Sequence, residues 1–258
     1  MRNKLTMELA VCGFNAAAAV GELHPEKINR LFLREDRLKQ FGKVCSNLAE
    51  RKRPYKICDD EELERLCKSI HHQGVVAMIE EPVLEDISRE DIDFWAREGL
   101  TGLILHSVGN DHNLGAIVRS AAFFGVHFVI LCEADEEARL STGAYRVAEG
   151  GMEYVNFRKV RNTAAFLKRI APWIITLGAL TRARLRLRDM NAIIQEKAAA
   201  RRSANPGIAV VLGNEETGLP KEAEEHCAAL IRIPGTGRIE SLNVAQAATL
   251  FLHELYER

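Results

Sequence analysis

The spacing of apolar and polar positions divides the chain into two stretches of different texture. Over the first eighty residues, short strand-like and helix-like runs alternate. Glu8-Leu9-Ala10-Val11-Cys12-Gly13 reads as a strand and turn, and Ala-rich Phe14 to Gly21 as a helix with Gly21 suited to a C-cap. Pro25 to Arg30 is a short polar segment, followed by a strand candidate at Leu31-Phe32-Leu33. From Asp36 to Lys52, Leu38, Phe41, Val44, Cys45 and Leu48 recur at helical spacing on one face. Tyr55 to Cys58 is another short strand. Asp59 is an N-cap candidate for a helix from Asp60 to Cys67, with Glu62 three residues on, and Val75 to Ile79 closes the unit as a strand. The reading is a small α/β domain over 1–80.

Glu80 to Gly99 is acidic, carries Pro82 and lacks strand alternation; 81–99 reads as a linker plus a helix from Ser88 to Glu98, capped by Ser88. From Leu100 the pattern becomes strand, helix, strand. Gly102 to His106, His127 to Leu131, Trp173 to Leu177 and Ile208 to Leu212 are continuous apolar runs. A helix is read over Ala116 to Phe124, ended by Gly125, and a last one from about Ser241 to Tyr256. Apolar strands separated by helices indicate a parallel sheet covered on both faces, so 100–258 reads as an α/β domain.

Composition narrows the class. An apolar share of 47% and a charged share of 28% over 258 residues are those of an ordinary globular protein with a real core. No apolar run is long enough to span a membrane. The N-terminus reaches Glu8 before any apolar stretch and does not read as a secretory signal. Six scattered cysteines without a C-x-x-C pair read as reduced thiols. Cys67 with His71 and His72 lacks a second ligand pair at zinc-like spacing and reads as a helix ending at a polar turn, so no metal is expected. A net charge of −1 argues weakly against nucleic-acid binding, but local patches decide phosphate contact. Three basic groups stand out: Arg51-Lys52-Arg53-Pro54-Tyr55-Lys56; Arg182, Arg184, Arg186 and Arg188 at alternate positions, which an extended stretch would present on one face; and Arg158, Lys159 and Arg161.

Open parallel sheets bind ligands beyond the C-terminal ends of their strands. Three segments combine that location with unusual residues. Val108 to Ser120 follows a strand and opens a helix, with Asn113 as N-cap candidate, Gly115 allowing close approach and Arg119 further into the helix. Val211 to Pro220 places Gly213, Asn214, Glu215 and Gly218 beyond a strand tip. Ile231 to Ala245 runs through a Pro/Gly turn, with Ser241 and Asn243 read at the start of the last helix; capping explains one of the two more easily than both.

Together these segments resemble the three motifs of the SpoU (TrmH-like) family of RNA 2′-O-methyltransferases of the SPOUT superfamily: Asn113-Leu114-Gly115 through Arg119, Leu212-Gly213-Asn214-Glu215 through Gly218-Leu219, and Ile233-Pro234 through Ser241-Leu242-Asn243-Val244. Cys12-Gly13-Phe14-Asn15-Ala16-Ala17 and His72-Gln73-Gly74-Val75-Val76-Ala77 resemble the start and end of the family's substrate-binding domain. The resemblance implies an L30e-like ribosomal-protein fold for the first domain and a deep C-terminal trefoil knot for the second. It further implies S-adenosyl-L-methionine as cofactor, and a homodimer with the active site between subunits; the reduced thiols place the chain in the cytoplasm. By the same resemblance Leu212, Gly213, Asn214, Gly218, Ile233 and Leu242 hold the cofactor. Asn113, Arg119, Glu215, Ser241 and Asn243 occupy catalytic or substrate-positioning places. Arg119 grips the phosphate beside the reacting ribose; its use as a neutral base is the costlier alternative, given its high pKa. The partner is RNA, transfer or ribosomal, rather than DNA or membrane, and the ribosomal-protein-like first domain leans towards ribosomal RNA. Gly235 stands where the family often has methionine, and Ala245 where it often has serine. Methylation of a base, or RNA binding without turnover, are the competing readings.

Overall fold

A computed structural model describes residues 8–108, 110–132, 140–202 and 205–257. Met1 to Met7 and Gly109, which entered the readings of the N-terminus and of the first motif, lie outside the described residues. In chain order the strands and helices are β1 (Glu8–Cys12), α1 (Phe14–Leu23), β2 (Ile28–Leu33), α2 (Leu38–Glu50), β3 (Tyr55–Ile57), α3 (Asp60–Cys67), β4 (Val75–Glu80), α4 (Arg89–Glu98), β5 (Thr101–Leu105), α5 (Asp111–Phe123), β6 (Phe128–Cys132), α6 (Thr142–Ala148), β7 (Asn156–Val160), α7 (Thr163–Ile170), β8 (Ile174–Ala179), β9 (Leu185–Arg186), α8 (Met190–Ala200), β10 (Gly207–Leu212), α9 (Lys221–Glu225), β11 (Ala229–Arg232) and α10 (Val244–Tyr256).

These elements form two compact units, Met1–Val83 with Arg139–Tyr154, and Leu84–Ala138 with Val155–Arg258. The first holds a four-stranded mixed sheet in the order β1-β4-β2-β3, antiparallel except for the β2–β3 pair. Asp59 caps α3 by accepting the Glu62 N–H at 2.9 Å, as its sequence position suggested. Gly21 is not a C-cap. The helix α1 continues to Leu23, and a Cβ at Gly21 would lie 2.7 Å from Val44 Cγ2, so glycine there lets α1 and α2 approach. The helix face read on α2 buries Phe41, Val44, Cys45 and Leu48.

The sequence reading ran 140–154 on with the second domain, yet by its contacts this segment packs with the first unit. Its polar side chains find partners there. Glu153 takes Lys27 Nζ at 2.7 Å, Arg146 Nη1 donates to Ser69 Oγ at 2.9 Å, and Asn15 Nδ2 donates to Glu149 Oε2 at 3.2 Å. These partners lie far away in sequence, so local periodicity cannot reveal them.

The second unit is built on a seven-stranded, all-parallel sheet in the order β7-β6-β5-β10-β8-β11-β9. Its central strands are the apolar runs seen in the sequence, and β10 is buried throughout. Trp95, Phe128, Phe166, Ile174 and Val211 belong to one core cluster. Ser88 and Asp91 form a reciprocal capping box on α4, the helix that carries Trp95 into this core.

The structure sorts the basic groups. The arginine-alternating stretch is not extended; only Leu185–Arg186 is strand, and a 3-10 turn over Leu187–Asp189 follows. Arg182 is neutralised by Glu224 at 2.7 Å, and Arg158 by Asp91 at 2.8 Å.

Candidate active site

The tips of β5 and β10, adjacent in the sheet, place two of the three motif loops side by side. The join is continued past the strands, where the His106 N–H donates to the Leu212 carbonyl at 2.8 Å. Beyond β10, Asn214 Oδ1 accepts the backbone N–H groups of Glu216 at 2.8 Å and Thr217 at 3.1 Å, an Asx turn that folds the loop back on itself. The Gly218 N–H closes it on the Asn214 carbonyl at 2.9 Å. Asn214 Nδ2 donates to the Ser107 carbonyl at 2.8 Å and so ties this loop to the one after β5.

Gly213 is required by close packing. A Cβ there would lie 2.3 Å from the Gly218 carbonyl carbon. Leu212 is buried, whereas Gly213 and Gly218 are half-buried and present bare backbone beyond the strand.

The folded loop aims Glu215 at the other two motifs. Glu215 Oε1 accepts Asn113 Nδ2 at 2.6 Å, Asn243 Nδ2 at 2.9 Å and the Val244 N–H at 3.4 Å. Asn243 Nδ2 also reaches Asn113 Oδ1 at 3.0 Å. Three of the sequence-derived site residues, one from each motif, thus meet at a single carboxylate oxygen. Charge-assisted bonds of this kind are stronger than neutral ones.

Two local readings need correction. Asn113 is not the N-cap of α5. The helix starts at Asp111, and Asn110 caps it by accepting the His112 N–H at 2.8 Å, which frees the Asn113 amide for Glu215. The acidic Asp111 directly after Asn110 is the first-turn signal that marks this start. The last helix starts at Val244, not near Ser241. Asn243 is held at φ −53°, ψ 140°, outside the helical region, and caps the helix with Oδ1 on the Ala245 N–H at 2.9 Å. Asn243 is therefore both a cap and a member of the cluster, and Ser241 stands exposed in the loop before it.

Arg119 is exposed on α5. Six residues after Asn113, it sits about 9 Å further along the axis and about 120° around it. Ile233 is half-buried just past β11, and Leu242 is 47% exposed ahead of α10. Contacts that the sequence did not suggest hold the frame: Ser120 Oγ and Thr249 Oγ1 meet at 2.7 Å between α5 and α10, and His106 Nδ1 meets Thr163 Oγ1 at 2.9 Å.

A parallel sheet with a polar cluster and bare-backbone loops at its C-terminal strand ends is the arrangement of an α/β enzyme that takes its ligand beyond the strand tips. Its class follows from comparison with known proteins. Residues 101–253 match the SpoU rRNA Methylase family, and residues 10–83 match the family described as RNA 2′-O ribose methyltransferase substrate binding. The chain belongs to the SpoU rRNA methylase family, and that membership makes it a methyltransferase. It is 32% identical over 251 residues to the 23S rRNA (guanosine-2′-O-)-methyltransferase RlmB of Acinetobacter baylyi, covering 94% of each chain. It is 31% identical over 266 residues to the protein of the same name from Nitrosomonas europaea, covering 98% of this chain and 93% of that one. Among solved structures, the AdoMet-bound rRNA methyltransferase from Sinorhizobium meliloti superposes with a TM-score of 0.76 at 22% identity, covering 98% of this chain and 88% of that one. The SpoU methyltransferase AviRb from Streptomyces viridochromogenes, in complex with AdoMet, superposes with a TM-score of 0.75 at 21% identity, covering 100% and 93%. These two likenesses establish the fold.

Proposed function

We propose that this protein transfers a methyl group from S-adenosyl-L-methionine to a ribose 2′-hydroxyl of ribosomal RNA, working as a cytoplasmic homodimer. The observation that carries the reading is the convergence of Asn113, Glu215 and Asn243 on one carboxylate oxygen at the strand tips. The substrate follows from the relatives named as 23S rRNA guanosine-2′-O-methyltransferases. The L30e-like fold of the first unit and the trefoil knot in the second are part of the same proposal.

The residues at the strand tips suit the cofactor. The motif loops combine apolar Leu212, Ile233 and Leu242 with polar Asn214 and the half-buried glycines Gly213 and Gly218. This is the mixture expected of a site for a nucleoside. Bound there, S-adenosyl-L-methionine would supply a methyl group already activated by its sulfonium. The remaining work belongs to the chain: holding the ribose oxygen in line and easing its proton away. Positioning of this kind is worth up to roughly 7–11 kcal/mol in favourable cases. Arg119 holds the phosphate beside the target ribose, where its planar fork of N–H donors matches the phosphate oxygens. Glu215 fixes the amides of Asn113 and Asn243, so the edges they present to the nucleotide are set before it binds. Ser241, exposed in the same loop, orients the ribose.

The dimer is supported by exposed apolar side chains on α5 and α10, where Phe123 is 80% and Tyr256 66% exposed. Exposed patches of this kind mark interaction surfaces. Arg119 lies on the same helix, α5, as Phe123.

The test is incubation with methyl-labelled S-adenosyl-L-methionine and total RNA from a cell lacking the gene, followed by digestion to nucleosides. Label in a 2′-O-methylated nucleoside from the large ribosomal RNA is the expected result; label on a base, or none beside an active control, overturns the reading. Arg119→Ala is expected to abolish transfer while cofactor affinity stays within about twofold, and a collapse of cofactor affinity would sink the role given to Arg119.

A further inference from the structure

In the first unit's basic group, and among the described residues, two arginines are held by neutral amides rather than by a carboxylate. Between Lys39 and Lys56 there are six Lys or Arg and a single acid, Glu50, in a chain of net charge −1. Lys56 is paired with Glu62 at 2.8 Å. Arg51 and Arg53 are held differently. Arg51 Nε donates to Asn47 Oδ1 at 2.8 Å, and Arg53 Nη1 donates to Asn29 Oδ1 at 2.9 Å. A neutral amide orients a guanidinium without cancelling its charge. Elsewhere in the molecule, Arg30, Arg34, Arg158 and Arg182 are each held by a carboxylate. Glu26 lies close enough to feel the charge of Arg51 but forms its own pair with His24.

The surrounding geometry is consistent with a built surface. Lys39, Lys43 and Asn47 follow one another at i, i+4 spacing along α2, and Arg51, the C-cap of that helix, continues the row by its bond to Asn47. Asn29 sits where the β2–β4 register shifts, at an irregularity of the bulge type, and bulges re-aim side chains. Lys52 has φ +58° at the end of α2, a position glycine fills most cheaply, yet the chain keeps a long cation there. β3, which packs against α2 and forms one edge of the sheet, has every residue exposed, with Tyr55 45% accessible. Tyr55 and Ile57 share one face of that strand.

We infer that the α2–β3 face of the first unit is an RNA-contact surface. Lys39, Lys43, Arg51, Lys52 and Arg53 bind backbone phosphates, and Tyr55 offers a ring on which an unpaired base stacks. The inference rests on the enzyme reading above and adds to it the surface by which the substrate is held. Cationic residues beside an exposed aromatic fit single-stranded or looped RNA, because the charges follow the backbone and the ring accepts any base. Phosphate contacts of this kind carry affinity and little sequence information.

The test uses the full-length protein, a 23S rRNA transcript and a short single-stranded RNA. The informative variant is Asn29→Asp with Asn47→Asp, which keeps both hydrogen bonds but places a carboxylate on each arginine. Affinity for RNA is then measured as a function of salt. Losing two phosphate contacts lowers the slope of log affinity against log salt by roughly 1.4–1.8, with cofactor affinity and the melting temperature unchanged or raised. A merely structural role for the arginines predicts no loss of RNA affinity, since the new ion pairs strengthen the same contacts. Arg51→Gln/Lys52→Gln/Arg53→Gln lowers the slope further, whereas Arg51→Lys/Arg53→Lys retains it. Tyr55→Leu weakens the short single strand by roughly 5- to 100-fold without changing the slope. An unchanged slope in the Asp and Gln variants, beside a wild type that binds and methylates RNA, overturns this surface and leaves the enzyme reading standing. A wild type that neither binds nor methylates RNA sinks both. Loss of binding to an acidic protein with RNA affinity intact would assign the face to protein and refute the inference.

Discussion

Replacing Gly213 with alanine tests whether the loop after β10 is held as a single rigid piece. The added Cβ would lie 2.3 Å from the Gly218 carbonyl carbon, 2.4 Å from its oxygen and 2.6 Å from the Leu219 nitrogen. Ordinary van der Waals contact between carbons begins near roughly 3.5 Å, so the two strands of the loop must separate by about 1 Å. All three obstacles are backbone atoms. Gly218 is tied to Asn214, and Leu219 is buried in the core, so neither side yields alone. Overpacking of this kind costs about 1–3 kcal/mol, which in a chain of this size lowers the melting temperature by roughly 2–12 °C. The functional cost is larger. Asn214 holds the loop to Ser107 and places Glu215 against Asn113, so the displacement passes into the cluster. A misplacement of about 1 Å can cost about 100-fold in rate. The assay pairs thermal unfolding with cofactor titration and methyl transfer to RNA. Gly235→Ala is the control, because a Cβ at Gly235 meets nothing within 4 Å, and it is expected to stay within about twofold of wild type. A Gly213→Ala protein with wild-type melting, cofactor affinity and turnover would refute the rigid-loop reasoning.

Three further outcomes are expected. Glu215→Ala removes the shared acceptor of Asn113 and Asn243 and lowers single-turnover transfer by about 10- to 100-fold, at about 1.5–3 kcal/mol for charged hydrogen bonds. Glu215→Gln keeps an acceptor oxygen and recovers most of that loss, and a Gln variant as slow as Ala would show that charge matters more than geometry. At Asp91, burial pushes the carboxyl up, but hydrogen bonds from Arg158 and the Ser88 N–H outweigh it and leave the group below its ordinary value. The stability it contributes is therefore present above the unfolded carboxyl range and is lost as pH falls through the lower folded value. Wild type should exceed Asp91→Asn in denaturant midpoint at pH 7, with the gap closing below about pH 4, and a pH-independent gap would contradict this. Gly21→Ala gains about 1 kcal/mol of helix propensity but drives a methyl to 2.7 Å from Val44 Cγ2. Net destabilisation by urea unfolding is the expected result, and stabilisation would mean that Val44 turns aside.

What the sequence determined by itself is local. Asp59 and Ser88 cap their helices because an Asx or Ser side chain reaches N–H groups two or three residues on, a range any reader of the chain can scan. The apolar runs of β5 and β10 announce strands buried on both faces, hence a parallel sheet. The three motifs reveal the family because their order and residue types are linear properties. β7 was read only as a basic group, since it is an edge strand whose Asn156, Arg158 and Lys159 break any apolar run. Tertiary structure alone decided that 140–154 packs with the first unit. It alone brought Glu215 to Asn113, 102 residues away, and Asp91 to Arg158, 67 residues away. It also decided which of these arginines meet a carboxylate, because pairing depends on what lies across space. Arg158 and Arg182 found carboxylates, whereas Arg51 and Arg53 found asparagines. Periodicity and capping act over a turn or a strand. Pairing between distant side chains depends on how the elements pack.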